Sequence, residues 1–177
     1  MNRKILCVDD EEAILKGFSL YLRKDFELFT ANCGEKGLTV FEQESPFAVV
    51  LSDMRMPGMD GAAMLSAIKE RDPDVVTMLL TGHADFDSAM SAVNDGRVFR
   101  MLSKPCPSDR LKQALEDGLR QHELIISERV LLEQTLKGAI DALTQALATA
   151  KPLFFGRAMR ISRLSSELAE LLGEENI

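Results

Sequence analysis

Short apolar runs recur at residues 4–8, 27–31, 48–52, 75–81 and 99–103, and the segments between them carry apolar positions at helical spacing, at 13–23, 34–44, 61–71, 85–95 and from Ser108 onward. Strand and helix therefore alternate. Runs such as Ala48-Val49-Val50-Leu51 are apolar on both faces, the pattern of a parallel sheet covered by helices on each side. Right-handed crossovers between such strands give a doubly wound α/β domain of about 120 residues.

The fifth helix does not stop with the domain. Leu111, Leu115, Leu119, Ile126, Leu132, Leu136, Ile140, Leu143 and Leu147 continue its apolar stripe, and Gly118 and Gly138 interrupt it without ending it. A stripe longer than the domain needs predicts a helix that seeks a partner, as in a short coiled coil, with a hairpin folded back on its own domain as the alternative. Lys151-Pro152 marks a break. A further amphipathic helix is expected over 157–172, with Ile161, Leu164, Leu168 and Leu172 on one face and Gly173 as its stop. The chain thus divides into a domain over 1–121, a linking helix over 122–150 and a helical segment over 151–177.

Composition narrows the class. With 177 residues, 46% hydrophobic and 28% charged, the chain can bury one full core, which excludes two large domains and intrinsic disorder. A net charge of −7 argues against chain-wide attraction to nucleic acid or anionic membranes. The basic cluster from Lys151 to Arg163 lacks the helix-turn-helix setting of a DNA reader, so no nucleic-acid partner is expected. Cys7, Cys33 and Cys106 are odd in number and lack metal-ligand spacing, and neither a secretory signal nor a spanning apolar stretch is seen. A cytoplasmic protein without a membrane partner is the expectation.

In open α/β sheets ligands bind outside the carboxyl ends of the strands, and the residues there are chemically coherent. The first strand runs into Asp9 and Asp10, the third into Asp53, the fourth into Thr81 and Gly82, and the fifth into Ser103, Lys104 and Pro105. Singly, each has a plainer role as a turn former, helix cap or loop residue. Together, three carboxylates need a cation between them, and an all-oxygen set suits a hard divalent ion, Mg2+ or Mn2+. A carboxylate beside such an ion can attack phosphorus while the metal and a lysine neutralise the transferring group.

The stretches Ile5-Leu6-Cys7-Val8-Asp9-Asp10-Glu11, Leu51-Ser52-Asp53-Met54-Arg55-Met56-Pro57-Gly58-Met59-Asp60-Gly61, Leu80-Thr81-Gly82-His83-Ala84 and Leu102-Ser103-Lys104-Pro105 resemble the receiver domain of bacterial two-component response regulators over residues 3–121. The resemblance implies a flavodoxin-like sheet of strand order 2-1-3-4-5. It implies that Asp53 accepts a phosphoryl group from a sensor histidine kinase, that Asp10 and Asp53 bind the metal with the Arg55 backbone carbonyl, and that Asp9 acts through water. Thr81 and Lys104 then read the phosphoryl group, and the Lys104-Pro105 bond is expected to be cis.

Two features bear on switching. Receivers commonly carry an aromatic residue three positions before the lysine, and this chain has Met101 there. Phe99 shares the face of Met101 by alternation and is a second candidate for the switch, the plainer reading being that it is core. By the same resemblance, Arg55 and His83, two residues beyond Asp53 and Thr81, flank the water that hydrolyses the phosphoryl group, where long side chains shield the phosphorus or orient that water; slow self-dephosphorylation is the expectation, and plain surface residues are the alternative.

The tail carries a second, weaker likeness. Leu136-Lys137-Gly138-Ala139-Ile140-Asp141-Ala142-Leu143, Phe155-Gly156-Arg157-Ala158-Met159-Arg160-Ile161 and Leu168-Ala169-Glu170-Leu171-Leu172-Gly173 resemble the opening helices of an HD-type phosphohydrolase, including the HD-GYP cyclic-di-GMP phosphodiesterases. Arg157 stands where that family has histidine, and His83 and His122 are the only histidines, so no hydrolase centre can be built from this chain. A truncated or degenerate output is the reading. A haloacid-dehalogenase-type phosphatase is disfavoured because Arg55 replaces its second aspartate. The leading expectation is a non-enzymatic switch, homodimeric through the C-terminal helices or through the surface of the fourth helix, fifth strand and fifth helix. A DNA-binding regulator is the remaining alternative.

Overall fold

Alternation along each strand decides which layer its side chains join. The computed structural model describes residues 2–82, 98–150 and 152–172, and the helix expected over 85–95 lies outside them. Five parallel strands, β1 (Lys4–Val8), β2 (Glu27–Ala31), β3 (Val49–Asp53), β4 (Val76–Thr81) and β5 (Arg100–Ser103), form one sheet in the order β2-β1-β3-β4-β5. This is the expected doubly wound order. The third strand starts one residue later than its apolar run and takes in Asp53, which pairs opposite Leu80.

Helices α1 (Glu12–Leu22), α2 (Gly34–Glu44) and α3 (Gly61–Arg71) follow the first three strands, and α4 (Ser108–Ala150) follows β5. On one side of the sheet Ile5, Cys7, Val49, Leu51, Met78 and Leu80 pack with Leu22 of α1 and Leu111, Leu115 and Leu119 of α4. On the other, Leu6, Val8, Val50 and Leu79 pack with Phe41 of α2 and Met64, Leu65 and Ile68 of α3. Successive positions along each strand thus serve two separate cores in alternation, as burial of both sheet faces requires.

The chain divides into two compact units, Met1–Ser127 and Glu128–Ile177. The first holds the sheet and both cores. The second is helical, comprising the remainder of α4 and a helix α5 (Pro152–Leu172). This last helix opens at Pro152 instead of residue 157, because proline lacks only an N–H that the first turn leaves unbonded. The stripe residues Leu132, Leu136, Ile140, Leu143 and Leu147 are exposed, as are Ile161, Leu164 and Leu168. Among the described residues nothing covers either stripe. No described helix is long and apolar enough to cross a membrane.

Candidate functional site

The carboxyl ends of β1, β3, β4 and β5 bring the expected polar residues together. Asp9, just past β1, is fully buried. Its Oδ1 accepts the Glu11 N–H at 2.9 Å, and its Oδ2 lies 2.8 Å from Lys104 Nζ. Asp53, the last residue of β3, is 7% exposed and lies 2.9 Å from the same ammonium. Asp10 is exposed. One carboxylate oxygen from each of Asp9, Asp10 and Asp53 falls within 4.8 Å of the others.

The backbone ties the lysine to the hydroxyl. The Lys104 N–H donates to the Thr81 carbonyl at 2.8 Å, so the end of β5 is fixed to the end of β4. The Lys104-Pro105 peptide is cis, as is Ser45-Pro46. Thr81 is buried, with its Oγ1 donating to the Gly82 carbonyl at 3.1 Å.

Electrostatics follow from this crowding. Burial pushes the Asp53 carboxyl above its ordinary range, the Lys104 hydrogen bond and charge pull it back, and the Asp9 charge pushes it up again, leaving it raised. Burial opposes the charge on Lys104, but its hydrogen bonds to Asp9 and Asp53 outweigh that and hold its pKa above the ordinary lysine value. The donor set fits a hard divalent cation: three carboxylates on one edge, one open to solvent and two in a low-dielectric wall. Asp9, Asp10 and Asp53 are the residues able to hold it. Lys104 already neutralises part of the charge on two of them, so an arriving cation competes with an internal ammonium.

The switch and lifetime positions are placed unequally. Met101 is half-buried and packs against the α2–α3 side core. Phe99 is 40% exposed, with the Arg100 guanidinium carbon 5.4 Å from its ring centroid. This corrects the expectation that Phe99 is core: it precedes β5 and escapes the alternation that would turn it inward. Arg55 is exposed, and His83 lies outside the described residues.

Two supporting residues escaped the sequence reading. Ser52, fully buried, donates its hydroxyl to the Asp53 carbonyl at 2.9 Å. Gly61 opens α3 directly on that carbonyl: a Cβ there would lie 1.9 Å from Asp53 O and 2.8 Å from Ser52 Oγ. The Gly61 N–H donates to Met54 O at 3.0 Å, and Asp60 caps the helix by accepting the Ala63 N–H at 2.7 Å. Gly58, at φ +82°, turns the loop in a conformation that side chains rarely adopt. The Asp60-Gly61 pair was the available signal, since aspartate is a favoured helix cap and glycine allows a close approach of backbone.

Comparison with known proteins bears on these same strand ends. The chain is 36% identical over 126 residues to the transcriptional regulatory protein GlrR of Escherichia coli K12, which covers 71% of this chain and 28% of GlrR. The chain thus spans under a third of the length of that relative. Among solved structures, one described as adenylate cyclase from Rhodopirellula baltica is 39% identical with a TM-score of 0.74, covering 75% of this chain and 98% of that one. A response regulator receiver domain protein from Clostridium thermocellum is 34% identical with a TM-score of 0.66, covering 69% and 98%. The family model described as the response regulator receiver domain matches residues 5–116. That span takes in the strands bearing Asp9, Asp10, Asp53, Thr81 and Lys104 and leaves the HD-like stretches of the tail outside it. Sequence, strand order and the convergence of those side chains agree, and the chain belongs to the response regulator receiver domain family.

Proposed function

We propose that this chain is the phosphoryl-accepting part of a two-component response regulator, in which Asp53 takes its phosphoryl group from a sensor histidine kinase. The observation that carries this is the Asp53 carboxylate at the mouth of the sheet, flanked by Asp9 and Asp10 and held 2.9 Å from Lys104. A carboxylate oxygen attacks phosphorus, the bond from phosphorus to the donor's histidine nitrogen breaks, and an acyl phosphate forms on Asp53. A bound divalent cation supplies charge neutralisation for the incoming group. Asp10 and Asp53, with the Arg55 carbonyl, are assigned to hold it directly and Asp9 through water. Lys104 positions the phosphoryl oxygens, and Thr81 receives one of them by a small movement of its hydroxyl.

Residues 1–121 form the receiver, 122–150 the signalling helix and 151–177 the start of a helical output. In this reading the tail pairs with that of a second copy, its exposed leucines supplying the contact. The phosphoryl group, by drawing Thr81 and Lys104 inward, biases that pairing. Arg55 and His83 lengthen the life of the acyl phosphate. Transcriptional regulation is what the name of the longer relative states, a DNA-binding output is the alternative for the whole regulator, and an HD-type output is a weaker reading that rests on the tail's likeness alone.

The test is incubation of the full chain with Mg2+ and a small phosphoryl donor, followed by intact mass measurement and sedimentation velocity. Wild type is expected to gain one phosphoryl group and Asp53→Ala none. A modification that persists in Asp53→Ala would overturn the assignment of the acceptor.

A further inference from the structure

β2 is an edge strand, and its ladder to β1 fixes which of its backbone groups are used. The Glu27 N–H donates to the Arg3 carbonyl at 3.1 Å, and the Ala31 carbonyl accepts the Asp9 N–H at 3.2 Å. In a parallel ladder every second residue makes both of its bonds to the same neighbour, so Glu27, Phe29 and Ala31 are bonded to β1. Leu28 and Thr30 therefore turn their N–H and C=O groups outward. Such an edge is a template for another extended chain unless proline, lysine or a bulge blunts it. β2 reads Glu-Leu-Phe-Thr-Ala, without proline or lysine, and pairs one to one with Lys4–Val8, without a bulge.

The edge is recessed between two helices. α1 on one side, α2 on the other and the end of β2 line a groove of about 620 Å3. Leu15 and Leu20 of α1 and Val40 of α2 make its lining apolar, and Leu20 is 64% exposed. Its charged groups are Lys16 and Arg23 on the α1 wall, Lys36 on the α2 wall and a single carboxylate, Glu12. Glu12 is taken up by Lys16 at 3.2 Å, whereas Lys36 Nζ donates to the neutral Asn32 amide at 2.9 Å. In a chain of net charge −7, a groove with this excess of cations selects an anionic guest. The outward groups of Leu28 and Thr30 select its kind. Two donors alternating with two acceptors are matched by another backbone, while a small anion uses the donors alone and leaves the carbonyls unmatched.

We propose that this groove takes an extended acidic polypeptide segment, which adds to β2 as a sixth strand of the sheet. Its side chains alternate, one face toward α1 and the other toward α2. Lys16 and Arg23 stand seven residues apart on α1, about 10 Å along its axis. Carboxylates that recur about every 6.7 Å on one face of a strand come within reach of both. The opposite face meets Thr39 and Val40 and suits small apolar side chains. A second copy of this chain is a poorer guest, since it brings the same excess of cations to the contact. The groove uses none of the residues assigned to phosphoryl transfer.

The test titrates the full chain into a fluorescein-labelled seven-residue peptide of alternating valine and glutamate, read by anisotropy, with amide exchange followed by NMR. Saturable binding is expected, with exchange at Leu28 and Thr30 slowed at least about tenfold and exchange at Phe29 little changed. Arg23→Glu with Lys36→Glu is expected to weaken binding at least about tenfold and to leave the mass gain at Asp53 unchanged. Thr30→Pro removes one outward donor without touching the ladder to β1 and is expected to weaken binding likewise. Its thermal midpoint shows whether it folds, and the charge-reversed chain decides the matter if it does not. The proposal is overturned by absence of binding at about 1 mM chain, by equal affinity for the same peptide with lysine in place of glutamate, or by binding that leaves Leu28 and Thr30 unprotected. Slow exchange at these two amides without any peptide, together with a dimer in sedimentation, gives the edge to a second copy and overturns it as well. Displacement of the peptide by a thymidine oligonucleotide of equal charge means a general polyanion surface and does the same.

Discussion

At the scale of single residues, Gly61 is the position where the fold and the site are least separable. A methyl group there meets the Asp53 carbonyl at 1.9 Å, and backbone cannot swing aside as a side-chain tip can. Gly61→Ala is therefore expected to destabilise the chain by at least about 2 kcal/mol in urea unfolding, and to slow phosphorylation of Asp53 in whatever fraction still folds. Asp9, Asp10 and Asp53 give a second prediction. Mg2+ at about a hundred times its dissociation constant should stabilise wild type by roughly 2.7 kcal/mol, and Asp10→Ala should lose most of that shift. Lys104→Ala should bind Mg2+ several-fold more tightly, because the competing ammonium is gone, yet accept phosphoryl groups more slowly. Both effects are read by titrating the thermal midpoint with Mg2+ and by intact mass. Asp117 supplies a pH dependence. Hydrogen bonds from Arg100 and then from Arg120 hold its carboxyl below the usual carboxylate range. A depressed folded pKa means stability that is present above the unfolded value of about 4 and is lost as pH falls through the folded one. Asp117→Asn should thus be less stable than wild type at pH 6, with the gap closing below pH 4 in urea unfolding.

At the scale of elements, α4 contains its own control experiment. Leu115 is fully buried against the sheet, whereas Leu143, on the same helix, is 67% exposed. Leu115→Ala should cost about 2–5 kcal/mol in unfolding of the sheet-bearing unit, and Leu143→Ala almost nothing there. The elements were legible in the sequence where local pattern and tertiary use coincide. The strands over 4–8 and 27–31 and the helices over 34–44 and 61–71 have the bounds that their apolar spacing predicts, because the large apolar side chains in them are consumed by one of two cores. Phe99 broke the pattern because alternation holds only inside a strand, and β5 begins after it. The start of α5 was read late, since Pro152 looked like a boundary to be avoided when it was a first helical residue. At the site, Asp9, Asp53, Thr81 and Lys104 were visible as polar residues following apolar runs. The role of Ser52 was not, because a serine inside a strand gives no sign of where its hydroxyl bonds, and the approach of Gly61 depends on a loop closing in space.

At the scale of the whole molecule, the site is assembled from segments nearly a hundred positions apart: Lys104 reaches Asp9 and Asp53 from the far end of the sheet-bearing unit. A sheet of order β2-β1-β3-β4-β5 makes this possible by setting β1 and β3 side by side, with β4 and β5 following on one flank. Within that dispersed assembly the longest contiguous stretch among the described residues is the run from Ser52 to Ala63. There the acceptor, the hydroxyl on its carbonyl, the turn at Gly58 and the capped helix start interlock through backbone atoms. For anyone transplanting a phosphoacceptor into another doubly wound scaffold, this stretch is the smallest portable cassette. An aspartate grafted alone would arrive without the glycine that lets the next helix seat against it, and the graft would fail by steric exclusion before its chemistry was ever tried.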